Sequence, residues 1–224
     1  MENYKKEFIE FMVKSKVLTF GDFLTKSGRE TPFFINTGNY STGSQLLKLG
    51  EYYAESLMLN LPLGFDVLFG PAYKGIPLAV ATSMALTSRY SRQTAFCFNR
   101  KEIKDHGEGG KLIGHKLMDN DRVVIIEDVI TAGTSVRESI PLLRSAANVN
   151  ICALVISVDR MEKGQSNKSA LTELKEEFGI ETFSIVTLEE IVDYLYGRKI
   201  DGKVVVDDAI LQKIRDYREK YGAC

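Results

Sequence analysis

The chain has 224 residues, 44% of them hydrophobic and 26% charged, which suits one large domain with a packed core and excludes a disordered or fibrous class. Lysine and arginine number 29 against 30 acids, for a net charge of -1, so no global field draws the chain to nucleic acid or a membrane surface, and any anion site must be local. Cys97, Cys152 and Cys224 have no CxxC spacing and suggest a reduced, cytoplasmic protein without zinc or disulfides, and no window approaches the roughly 20 apolar residues of a membrane span.

Phe8, Phe11, Met12 and Ser15 recur at helical spacing, and residues 18–36 then alternate and turn like a hairpin that bends near Ser27-Gly28. This hood, about residues 1–40 with part of the C-terminal half, is expected to cap the body of a single domain spanning 1–224. From residue 44 the pattern becomes helix (44–61), apolar strand (66–69), helix (76–86), strands (94–98 and 123–126), helix (135–146) and strand (151–158). A last strand covers 182–187, and two helices cover 188–197 and 207–222. The strands are continuously apolar, as in a sheet covered on both faces. The expected fold is α/β: a doubly wound, mainly parallel sheet with helices on both faces and a small N-terminal hood. In such sheets ligands bind beyond the carboxyl ends of the strands.

The strand 123–126 runs out into Glu127 and Asp128, then into "VITAGTS". Thr131, Ala132, Gly133 and Thr134 are small or permissive, so their backbone N–H groups can approach a phosphate closely. Ser135, with Glu138 three residues on, reads as a capping box. Two carboxylates beside a phosphate cradle repel the phosphate unless the ligand also brings hydroxyls or a Mg²⁺ ion. A phosphorylated sugar meets both demands; a strand-to-helix turn with solvated acids is the plain alternative. The loop is neither G-x-x-x-x-G-K-[ST] nor G-x-G-x-x-G, which disfavours a nucleoside triphosphate or dinucleotide. Residues 69–79, "FGPAYKGIPLA", form a second candidate anion loop around Gly70-Pro71, Lys74 and Gly75. Residues 99–114 crowd Arg100, Lys101, Lys104 and His106 ahead of Gly107, Gly109 and Gly110, in a segment expected to be mobile; a solvated surface loop is the alternative.

Residues 123–135 resemble, over their whole length, the phosphoribosyl diphosphate (PRPP) motif of type I phosphoribosyltransferases. The resemblance implies that Glu127 and Asp128 hold the ribose hydroxyls, that Thr131, Ala132, Gly133, Thr134 and Ser135 bind the 5′-phosphate, and that Val129 and Ile130 also belong to the PRPP site. It assigns Tyr73 and Lys74 to the diphosphate. The run R-K-x-x-K-x-H followed by glycines is similar to the catalytic loop of orotate phosphoribosyltransferases, which reaches into the neighbouring subunit. Arg100, Lys101, Lys104 and His106 would then face the diphosphate in a homodimer with shared sites. As the bond from ribose C1 breaks, cations aimed at the leaving oxygens stabilise the transition state, each commonly worth about 3 kcal/mol, and a closed lid excludes water.

In the hood, "KSGRETPFF" is similar to the motif of that subfamily which covers the pyrimidine, implying Lys26, Phe34 and Ile35 at the base together with Thr131. Ile35 stands where many relatives have Phe. An anionic pyrimidine wants an arginine, and the resemblance puts Arg160 in that role; a salt bridge to Asp159 or a helix acid is the alternative. The implied activity is transfer of the 5-phosphoribosyl group from PRPP to orotate, with Lys26, Lys74, Lys104, His106 and Asp128 as the catalytic set. Mg²⁺ is expected to be held mainly through PRPP and water, without a direct protein ligand. A purine or uracil phosphoribosyltransferase and a PRPP-sensing, nucleic-acid-binding regulator are the competing readings. The charge balance and the lack of a helix-turn-helix extension oppose the second.

Overall fold

The computed structural model describes residues 1–25, 28–102 and 111–223. The chain opens with α1 (Asn3–Lys14), a hairpin of β1 (Leu18–Leu24) and β2 (Glu30–Ile35), and a 3₁₀ turn, Thr37–Asn39. Then come α2 (Gly43–Asn60), β3 (Val67–Gly70), α3 (Gly75–Tyr90), β4 (Ala95–Asn99) and the short β5 (Leu112–Gly114). β6 (Arg122–Ile126), α4 (Thr134–Ala146), β7 (Asn150–Asp159), α5 (Ala170–Phe178), β8 (Glu181–Thr187) and α6 (Leu188–Leu195) follow. The pair β9 (Lys199–Ile200) and β10 (Lys203–Val204) precedes the last helix, α7 (Asp208–Tyr221).

Among the described residues six strands form the main sheet in the order β5-β4-β3-β6-β7-β8. All its pairs are parallel except β4 with β5. The chain fills the β3-β4-β5 side first, returns to β6 beside β3, and builds outward through β7 and β8. β3 and β6 therefore flank the point where the winding reverses, and the crevice outside the carboxyl ends of such strands is where open α/β sheets hold ligands.

Alternate residues of β6 feed two cores. Val124 and Ile126 pack with residues of α1, α2 and α3, while Val123 and Ile125 pack with residues of α4 and α5. With both faces covered, the strand needs no polar alternation. A third cluster joins Phe33 of β2 to Leu188, Val192, Ile214 and Tyr217, so α6 and α7 cover the hairpin. β3 ends where α3 begins because the two backbones touch: a Cβ on Gly70 would lie 2.1 Å from the carbonyl oxygen of Gly75.

The sequence pattern did not call for the 3₁₀ turn at Thr37–Asn39, the short pair β9 and β10, or two further elements of the body, β5 and α5. β5 is a three-residue edge strand. α5 is the crossover that the parallel pair β7 and β8 requires; the Ser169 side chain caps it by accepting from Thr172 N, and Gly179 ends it at φ 68°. α3 also runs to Tyr90, past the expected end at residue 86.

Candidate active site

Glu127 and Asp128 leave β6 at the winding reversal, and each is only 7% exposed. Their backbone is pinned: Glu127 N donates to the Val155 carbonyl at 3.0 Å, and the Ser157 N and Oγ donate to the Asp128 carbonyl at 2.8 and 2.6 Å. Tyr53 Oη donates to the Glu127 carbonyl at 2.6 Å. The two carboxylates then diverge. Glu127 Oε1 accepts from Ser135 Oγ at 2.6 Å. Asp128 Oδ2 accepts from Lys74 Nζ at 2.8 Å and from Thr37 Oγ1 at 2.6 Å, and Lys74 Nζ also donates to Thr37 Oγ1 at 3.0 Å. Burial, reinforced by the neighbouring Asp128 and opposed by the Ser135 hydrogen bond, pushes the Glu127 carboxyl up to about 7.

Lys74 reaches Asp128 from the end of β3, across 54 positions of sequence. Its loop is tied to the end of β4, where Ala72 N donates to Asn99 Oδ1 at 2.7 Å. The Ala72–Tyr73 peptide bond is cis, and the side chains of Tyr73 and Lys74 are largely exposed. Beside this pair a cavity of about 260 Å³ is lined by Thr37, Tyr40, Tyr53, Lys74, Asp128 and Ser157, among others.

α4 begins at Thr134, after Gly133 at φ 70°, and no side chain caps it. Thr42, Ser169, Thr187 and Asp207 cap α2, α5, α6 and α7, while α1 and α3, like α4, start without a side-chain cap. The capping box expected of Ser135 and Glu138 is absent, because the helix starts two residues earlier, at the N-cap Gly133, and Ser135, already inside it, gives its proton to Glu127. The uncapped N–H groups and the helix dipole leave an anion-attracting end next to the two acids. Thr131 and Thr134 are exposed around it, Ala132 and Ser135 are half-buried and Gly133 is buried. Arg137 Nη1 donates to the Ala132 carbonyl, and Arg137 Nε is fixed by Glu177 at 2.7 Å. Val129 and Ile130 pack against opposite cores.

At the end of β7, Arg160 Nη2 pairs with Glu162 at 2.7 Å rather than with Asp159. Its guanidinium lies 5.3 Å from the centre of the Phe33 ring, and its buried Nε has no partner among the described residues. Glu162 also accepts from Tyr217 at 2.8 Å and from Arg29 at 3.4 Å, which joins the hood, β7 and α7. Phe34 is 45% exposed and stacks on Phe23 at 5.7 Å, and Ile35 is half-buried. Arg100 is half-buried and Lys101 exposed. Lys26, Lys104 and His106, all expected at the site, lie outside the described residues. Sequence reasoning missed Thr37, Tyr53, Asn99 and Ser157. Asn99 and Ser157 carried one signal, their place at the carboxyl ends of strands. Thr37 carried none, since its partners lie 37 and 91 residues away.

The family model of the phosphoribosyl transferase domain matches residues 36–190, a span that contains Thr37, Lys74 and both acids. The orotate phosphoribosyltransferase of Clostridium acetobutylicum is 61% identical over 222 residues, 99% of this chain and 99% of that protein. The crystal structure of orotate phosphoribosyltransferase from Francisella tularensis has a TM-score of 0.83 at 38% identity, covering 97% of this chain and 100% of that one. A Mycobacterium tuberculosis orotate phosphoribosyltransferase, solved in complex with 5-phospho-alpha-D-ribosyl 1-diphosphate, shares the fold with a TM-score of 0.61 at 17% identity, over 84% of this chain and 98% of that one. The chain belongs to the phosphoribosyl transferase family and, within it, to the orotate phosphoribosyltransferases.

Proposed function

We propose that this crevice transfers the 5-phosphoribosyl group of PRPP to orotate, giving orotidine 5′-monophosphate and diphosphate in pyrimidine biosynthesis. The observation that carries the reading is the pairing of Lys74 with Asp128 at the winding reversal, beside the uncapped start of α4. PRPP brings three kinds of group, and each has a counterpart here. The 5′-phosphate suits the N–H groups and hydroxyls of Thr131 to Ser135. The ribose hydroxyls suit Glu127 and Asp128, and the diphosphate suits Lys74 and Tyr73. On binding, the Lys74–Asp128 contact is exchanged for one ligand contact at each end, with matching charge and hydrogen-bonding character.

Asp128, held beside the sugar, then stabilises the positive charge that grows as the bond from ribose C1 breaks. Lys74 receives the leaving oxygens, with Arg100, Lys101, Lys104 and His106 supplying further positive charge. Among the described residues no group of three or more His, Cys, Asp or Glu is placed to cage a cation, and the two carboxylates suit an ion carried by the substrate's own oxygens and by water. Mg²⁺, when bound, supplies positive charge to the diphosphate and ribose oxygens of PRPP. Lys26, Phe34, Ile35 and Thr131 hold the base, and Arg160 exchanges Glu162 for the orotate carboxylate. We assign a homodimer with shared sites and a cytoplasmic location; among the described residues no helix is long and apolar enough to cross a membrane.

The test is a base panel. Orotate, uracil, hypoxanthine and adenine are each mixed with the protein, PRPP and Mg²⁺ and followed by ultraviolet absorbance. Only orotate is expected to be consumed, and only when PRPP and Mg²⁺ are both present. Turnover of another base in its place would overturn the assignment of the base, and PRPP binding without any turnover would overturn catalysis.

A further inference from the structure

We infer that Thr37 is a positioning residue for this reaction: its hydroxyl keeps Asp128 oriented while Lys74 moves from the carboxylate to the diphosphate. The inference rests on the reading in which Lys74 and Asp128 bind PRPP. A lysine ammonium has donors only, and a threonine hydroxyl has one proton to give. With Lys74 Nζ 3.0 Å and Asp128 Oδ2 2.6 Å from Thr37 Oγ1, the hydroxyl must accept from Lys74 and donate to Asp128. Asp128 Oδ2 thus has two donors, and PRPP removes one of them. The Thr37 bond survives the exchange, fixes Oδ2, and leaves the other carboxylate oxygen for a ribose hydroxyl.

The frame around Thr37 is built to hold it. Asn36 N donates to the Val17 carbonyl at 2.8 Å, the Asn36 side chain accepts from Gly38 N at 3.2 Å, and Asn39 Nδ2 donates to the Lys16 carbonyl at 2.7 Å. Tyr40, whose N–H closes the turn on the Thr37 carbonyl at 3.2 Å, stacks on Phe11 of α1 at 5.2 Å. A hydroxyl on a turn tied at so many points is preorganised rather than recruited. It also stands two residues beyond the end of β2, the strand that carries Phe34 and Ile35, and so links the hood to the ribose end of the site.

The experiment measures PRPP and orotate KM, kcat and melting temperature for Thr37→Val, which keeps the shape and loses the hydroxyl, and for Thr37→Ser, which keeps the hydroxyl. Lys74→Ala serves as the reference. Thr37→Val is expected to raise the PRPP KM about tenfold, because Asp128 must then be ordered as PRPP binds rather than beforehand, with orotate KM unchanged and Thr37→Ser close to wild type. A wild-type PRPP KM in Thr37→Val, alongside a raised one in Lys74→Ala, would overturn the role of Thr37 and leave the PRPP reading standing. Equal losses in the Val and Ser variants, or a fall in melting temperature that tracks the kinetic loss, would make Thr37 merely structural. An unchanged PRPP KM in Lys74→Ala would remove the PRPP reading and the inference with it.

Discussion

Glu127 is a carboxyl whose proton the fold holds into the neutral range, since burial lifts it from 4.5 to about 7. In its proposed role as an acceptor for ribose hydroxyls it would work ionised, so kcat/KM for PRPP is expected to rise with pH and level off above about 7. A Glu127→Gln variant should lack that limb, and a wild-type limb at ordinary carboxylate pH would refute it. The sign for stability is the opposite. A raised carboxyl favours folding in its neutral form, so this contribution is complete below 4.5 and is lost as pH rises through about 7, to at most on the order of 3 kcal/mol. Glu127→Gln, which stays neutral and still accepts from Ser135, is therefore expected to melt above wild type at about pH 8, with the gap closing in acid. At the base end, Arg160→Ala is expected to raise the orotate KM about tenfold to a hundredfold and to spare the PRPP KM, as loss of a charged hydrogen bond does. A shift confined to PRPP would contradict the assignment of Arg160 to the carboxylate.

The loop between β6 and α4 depends on one backbone conformation. Gly133 sits at φ 70°, and a Cβ there would lie 2.9 Å from Leu174 Cδ1. Gly133→Ala is expected to cost about 1–3 kcal/mol in thermal unfolding and to raise the PRPP KM through misplacement of the N–H groups. A variant that melts and binds PRPP like wild type would show that the loop tolerates another geometry. The apolar strand and its acids were legible in the sequence because β6 is buried on both faces from Val123 to Ile126 and its acids begin only at the crevice. The start of α4 differs from the expectation: Ser135 and Glu138 have capping-box spacing, yet the left-handed Gly133 starts the helix two residues earlier, so Ser135 sits inside its first turn and turns its proton to Glu127 across the loop. β5 went unread because Leu112, Ile113 and Gly114 are too few to show a period. α5 was overlooked despite readable marks, a capping Ser169, a terminal Gly179 and buried Leu171 and Leu174.

At the scale of the molecule, the alternation of strands and helices announced a doubly wound sheet but not which strands would be neighbours. The meeting of the β3 and β6 loops follows from the strand order, which no local pattern encodes. The same limit hid Thr37, whose value comes from a hood folded back on the sheet. Phe33 holds that hood: it is fully buried, packs edge-on against Tyr217 at 5.7 Å, and lies against Arg160. Phe33→Ala is expected to cost about 3–5 kcal/mol while leaving one cooperative transition in calorimetry, because the hood cluster shares Phe20 and Ile35 with the rim of the main core. Two resolved transitions would instead make the hood a separate folding unit.

The claim that the transfer occurs at the winding reversal is tested most directly by orotate consumption, with PRPP and Mg²⁺, in wild type and Asp128→Asn side by side. Wild type is expected to consume orotate, and the variant to do so about a hundredfold more slowly, as befits loss of one preorganised charge at the reacting centre. Equal rates, or orotate left untouched by wild type, would contradict it.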